Sequence, residues 1–89
     1  MDVTVVFTTQ LKAALDCSEQ KLSLSEASTV RDAIKALAEQ HADSFAKLVL
    51  SDGELMPSIL LCVNDQQVDQ EQTLNDGDVL TLLSAISGG

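Results

Sequence analysis

The chain has 89 residues, five basic side chains against fourteen acidic ones, a formal net charge of −9 and 45% apolar residues. A chain this short makes one small domain that buries about 60–65% of its unfolded surface, which leaves no room for a wide cleft between subdomains. Such acidity repels phosphate backbones, and Phe7 and Phe45 are the only aromatic rings, too few to stack bases, so nucleic acid is excluded and a basic protein surface is the expected partner.

No apolar run approaches the ~20 residues that cross a bilayer, so no membrane partner is expected. Met1 to Gln10 carries Asp2 and no Lys or Arg, unlike the basic opening of a secretory leader. Cys17 and Cys62 lie far apart and form no CxxC pair, which points to a reducing, cytoplasmic location.

Asp2 to Thr8 alternates, with Val3, Val5 and Phe7 on one face and β-branched residues throughout, and reads as a core strand. Leu11 to Leu15 has no assignable period. Gln20 to Ser25 alternates again through Leu22 and Leu24 and reads as the return strand of a hairpin. Val30, Ala33, Ile34, Leu37 and Ala38 then fall on one helix face, the strongest periodic signal in the chain. Thr29 suits the N-cap, and Asp32 sits where the positive helix end welcomes a carboxylate, so the helix should run to about His41.

Asp43 to Leu50 is read as a short second helix presenting Phe45, Leu48 and Val49, followed by a turn over residues 51–54. Ser58 to Val63 reads as a buried strand bounded by Asn64-Asp65, with Gln67-Val68 as its short partner. The turn Asn75-Asp76-Gly77-Asp78 launches a last strand, Val79 to Leu83. Together these elements predict an α+β domain, a mixed four- to five-stranded sheet with one main helix packed across one face.

Enzyme constellations are nearly empty. One histidine, His41, stands at a helix end where a cation complements the dipole, and neither cysteine has a basic sequence neighbour that would lower its pKa. Cys62, between Leu61 and Val63 in a strand, reads as a small packed hydrophobe. Asp76 and Asp78 flank Gly77, where aspartate bonds the local backbone. No metal site is expected.

The exception is Gly88-Gly89. Such a pair at one fixed position arises by chance in about one chain in 200 at ordinary glycine usage, so its context must decide. That context is a first strand like Val3 to Phe7, a helix opening Thr29-Val30-Arg31-Asp32, then Val63-Asn64, Asp76-Gly77-Asp78 and the closing Gly-Gly. In this order the motifs, over almost the whole chain, resemble the ThiS/MoaD-like sulfur carriers, ubiquitin-like β-grasp proteins.

The resemblance implies a β-grasp domain over residues 1–83 and a flexible tail over residues 84–89. It further implies that Gly89, with Gly88, is the working end: a carrier, not an enzyme, with no cofactor of its own. An adenylating enzyme of the ubiquitin-activating type spends ATP in trans on the Gly89 carboxylate, a sulfur donor converts it to a thiocarboxylate, and a synthase large subunit accepts the sulfur. The length and the segment from Asp43 to Pro57 look most like the small subunit of molybdopterin synthase. Carriers serving cysteine synthesis, thiamine synthesis or tRNA thiolation fit the tail as well, and a protein modifier attacked by lysine amines would use the same end.

The physical logic supports this chemistry. A terminal carboxylate has a pKa near 3.5 and is a poor electrophile until a phosphoryl leaving group is attached. Six residues reach at most ~20 Å, enough to enter a partner's pocket, and glycine passes a narrow channel without a Cβ beside the reacting carbonyl. Leu80, Leu82, Ser84, Ala85, Ile86 and Ser87 are the expected partner contacts. The last strand carries apolar residues on both faces, Val79 and Leu83 on one and Leu80 and Leu82 on the other, so one face is a candidate docking surface. The half of the chain after Lys47 holds seven carboxylates and no base, which should steer it toward a basic patch.

Overall fold

The computed structural model describes residues 1–84. Strand β1 (Asp2–Phe7) is followed by a short helix, α1 (Thr9–Leu15), and then β2 (Glu19–Ser23). The register Val3↔Leu22 makes β1 and β2 antiparallel, so the expected return strand is present, but its connection is a helix rather than a tight turn. Sequence periodicity misses α1 because seven residues give barely two turns, and from Leu11 to Leu15 only Leu11 is fully buried.

Helix α2 (Val30–His41) begins and ends where its signals place it. The Thr29 hydroxyl accepts from the Asp32 amide, and the Asp32 carboxylate accepts from the Thr29 amide at 2.9 Å, satisfying two of the amide donors that a helix start leaves unpaired. Val30, Ala33, Ile34 and Leu37 face the sheet and are buried.

Ala42 separates α2 from α3 (Asp43–Val49) with φ 53° and ψ −131°, a region that normally requires glycine. That bend turns α3 so that Phe45 and Val49 enter the same core. The expected turn at 51–54 is a small hairpin of β3 (Leu50–Ser51) and β4 (Glu54–Leu55). Asp52 and Gly53 both have positive φ, as two-residue hairpin turns require and as an Asp-Gly pair favours.

Strands β5 (Ile59–Val63), β6 (Gln66–Val68) and β7 (Val79–Ser84) complete a five-stranded sheet in the order β2-β1-β7-β5-β6. The last strand therefore lies in the middle, parallel to β1 and antiparallel to β5. One apolar core occupies the helix side of the sheet, where Val3, Val5, Phe7, Leu61, Leu80 and Leu82 meet Ile34 and Leu37. The fold is the expected α+β β-grasp arrangement, a mixed sheet crossed by a main helix, with the two short helices α1 and α3 beside it.

Candidate functional site

Strand β7 decides which residues a partner can touch. Its register with β1 pairs Val5 with Leu80 and Phe7 with Leu82, so the even-numbered positions share the face of Val5 and Phe7. Leu80 and Leu82 are fully buried, each 0% exposed. This corrects their expected role as partner contacts: they fill the core under α2. The opposite parity points outward, and Val79, 37% exposed, shares that outer face with half-buried Thr81 and Leu83 and with Leu60, also 37% exposed.

Cys62 joins the same outer face, opposite Thr81 and Gln67. It is half-buried and free, a second correction: the core positions of β5 are its neighbours Leu61 and Val63. Cys17 is also free, and its thiol donates to the Glu19 carbonyl at 3.0 Å. It borders an open hollow of about 460 Å³ with Lys12, Ala13, Asp16 and Ser18. Among the described residues no three potential metal ligands stand together, and no helix is long and apolar enough to cross a membrane.

Three segments converge where β7 ends. Ser84 belongs to the strand and pairs with Ile59 at the start of β5, so this residue, expected in the tail, is part of the sheet. On the other side β1 has ended at Phe7, and the Thr8 hydroxyl donates to the Leu82 carbonyl at 3.0 Å. The Ile59 amide is held by the Met56 carbonyl at 3.0 Å. Ala85, Ile86, Ser87, Gly88 and Gly89, the remaining expected contacts and the expected reacting end, lie outside the described residues.

The acidic turn stands at the opposite end of the strand. Asp76 accepts from the Asp2 amide, and Asp78 accepts from the Asn75 amide and the Asn64 side chain, each at 2.8 Å. Gly77, at φ 87°, donates to the Asp2 carbonyl. These aspartates do turn work, as their flanking of glycine suggests. Asp2, Asp65, Asp76 and Asp78 thus gather where β7 starts, a strand length of about 20 Å from where it finishes. Three of the seven carboxylates that follow Lys47 therefore stand at the end of β7 away from Ser84. The Glu71 carboxylate, hydrogen-bonded to the guanidinium of Arg31, raises the pKa of Arg31 and ties the start of α2 to the segment that leads to this turn.

His41 closes α2 as a structural residue. Its ring meets Phe7 edge-on at 6.0 Å between centroids, and Nε2 lies 2.6 Å from Gln20 Oε1. Gln20 in turn donates to Gln40, linking the edge strand β2 to the end of the helix.

A central strand delivered to one end of a β-grasp sheet, with the Gly-Gly motif five residues further on, is the arrangement against which known proteins can be compared. The sequence profile of the ThiS family matches residues 5–89. The chain belongs to the ThiS family. Its members and their ubiquitin-like neighbours are small carrier or modifier proteins.

Among solved structures, small archaeal modifier protein 1 (SAMP1) of Haloferax volcanii is similar over 100% of both chains, with TM-score 0.90 and 24% identity. CysO of Amycolatopsis orientalis, solved in complex with BexX, is similar over 98% of this chain and 99% of its own, with TM-score 0.74 and 31% identity. A Pyrococcus furiosus protein described as a putative molybdopterin converting factor, subunit 1, matches 97% of this chain and 99% of its own at TM-score 0.80 and 24% identity. The two matches at 24% speak to the fold; the ThiS-family match, which reaches Gly89, places the chain among sulfur carriers of the ubiquitin-like type.

Proposed function

We propose that this ThiS-family chain carries sulfur as a thiocarboxylate on Gly89. The observation that supports the reading is the family match through residues 88 and 89, joined to a central strand β7 that runs as far as Ser84. The Gly89 carboxylate attacks the α-phosphorus of ATP held by a partner enzyme, forming the acyl adenylate and releasing pyrophosphate. Hydrosulfide-level sulfur then attacks the carbonyl; the C–S bond forms, AMP leaves, and a proton is released. The side chains of this domain perform neither step: they hold the arm and present it.

Delivery to a molybdopterin synthase large subunit is the first pathway we assign, on the length of the chain and its segment from Asp43 to Pro57, with the Pyrococcus furiosus fold match in its favour. A second reading, in which lysine amines take the activated carbonyl, is favoured by the fold shared with the archaeal modifier protein. Intact-mass measurement of the chain incubated with an adenylating enzyme, ATP and a sulfur donor separates them. A carrier shows the gain of an oxygen-to-sulfur exchange at the C-terminal peptide, lost on deletion of Gly89 and weakened by Gly89→Ala. Covalent adducts on other proteins with no such exchange indicate the modifier, and full loading of a chain lacking Gly89 overturns both.

A further inference from the structure

The geometry points to Thr8 as a positioning residue that clamps the base of the C-terminal arm through the Leu82 carbonyl. Thr8 occupies the N-cap position of α1, with the extended backbone that caps adopt, yet its side chain makes no cap hydrogen bond. Threonine at this position normally spends its hydroxyl on a first-turn amide of its own helix. Here the hydroxyl crosses to another strand and donates to Leu82, 74 positions away, at 3.0 Å in a partly buried setting. The paired register of β1 and β7 stops at Phe7↔Leu82, so this side chain carries the contact between the strands one residue past its last paired position.

The opposite flank of β7 is held further along, by Ser84↔Ile59. Without Thr8 the hold on the β1 side would end at the backbone pairing of Phe7 with Leu82, and the end of β7 would be freer to pivot about its β5 edge. With it the Leu82 carbonyl is gripped from the β1 side while Ser84 pairs with Ile59 on the β5 side, so both flanks of β7 are held near its end. An arm of about five residues magnifies any pivot at its base, so a partner pocket that must meet Gly89 selects for a firm base. Because the hydroxyl caps nothing, replacing it with a methyl group of the same shape removes the clamp and leaves α1 its backbone bonds from Leu11 and Lys12 to the Thr8 carbonyl.

This inference rests on the reading of Gly89 as the loaded end, and two measurements keep them apart. Thr8→Val and Thr8→Ser are compared with the wild-type chain by amide hydrogen exchange, and by the kinetics of loading with a purified adenylating enzyme that loads the wild type. For Thr8→Val, exchange at Leu83 and Ser84 should quicken about fivefold, the scale of one net hydrogen bond, with Val5 and Leu61 unmoved. The KM for loading should rise at least about twofold, the change appearing in KM rather than kcat, and Thr8→Ser should restore both values. Unchanged exchange, exchange that quickens across the whole sheet, or a loading KM equal to wild type overturns the clamp while leaving the carrier reading intact. A wild-type chain that adenylating enzymes never load overturns the carrier reading and the clamp with it.

Discussion

Leu82 and Leu83 are adjacent in β7, carry the same type of side chain, and should respond very unequally to the same truncation. Leu82 is 0% exposed and Leu80 beside it equally so, whereas Leu83 lies on the outer face opposite Leu60. Leu82→Ala removes a fully buried isobutyl group in the middle of the sheet, where strands on both sides prevent collapse. A cost of about 3 kcal/mol follows from measured leucine truncations in cores. For a domain of this size total stability is about 4–13 kcal/mol, so a quarter or more would be lost, and the thermal midpoint should fall by about 12–24 °C. Leu83→Ala should cost about 0.5 kcal/mol and 2–4 °C. Thermal unfolding followed by circular dichroism, on both variants in one buffer, reads the difference directly. Since a register slip of one residue exchanges the two faces of a strand, a larger loss for Leu83→Ala than for Leu82→Ala would refute the pairing of β7 with β1 and β5.

Two further outcomes are expected of the helices. Thr29→Ala should lower stability by about 1 kcal/mol by opening the capping box of α2, and Thr29→Ser should retain most of it; equal losses in thermal unfolding for the two variants would dissociate the hydroxyl from the effect. Ala42→Gly should raise stability by about 1 kcal/mol, because relief of a strained positive-φ alanine outweighs the added entropy of the unfolded chain. Its control, Ala46→Gly inside α3, should lower stability by a similar amount, and a shift of Ala42→Gly in the same downward direction would argue against the bend at residue 42.

The docking residues of the last strand show where periodicity stops being informative. Leu80, Leu82, Val79 and Leu83 are all apolar, so the alternation separates two faces without saying which one the helix covers. That choice is made by β1, seventy-odd residues earlier, whose buried Val5 and Phe7 align with Leu80 and Leu82. Cys62 was misplaced for the same reason: a run of six consecutive apolar or small residues hides its parity. Thr8 is hidden differently, since at the end of a strand pattern with no helix signal after it nothing sets its hydroxyl apart, and only the folded arrangement reveals the carbonyl it reaches.

By itself the sequence settled what local physics settles. The spacing of Val30, Ala33, Ile34 and Leu37 and the pairing of Thr29 with Asp32 define α2, because a helix and its cap use contacts three and four residues apart. Alternation marks β1 and β2, and Asn-Asp-Gly-Asp marks the turn before β7, because strand and turn geometry are read from neighbouring residues. Tertiary structure alone decided that β7 occupies the centre of the sheet, which of its faces is core, and that Asp65, Asp76 and Asp78 of the second half collect at the end away from Ser84. Those features depend on pairings across most of the chain's length, and a hydrogen-bonded partner that distant leaves no periodic trace in the residues on either side of it.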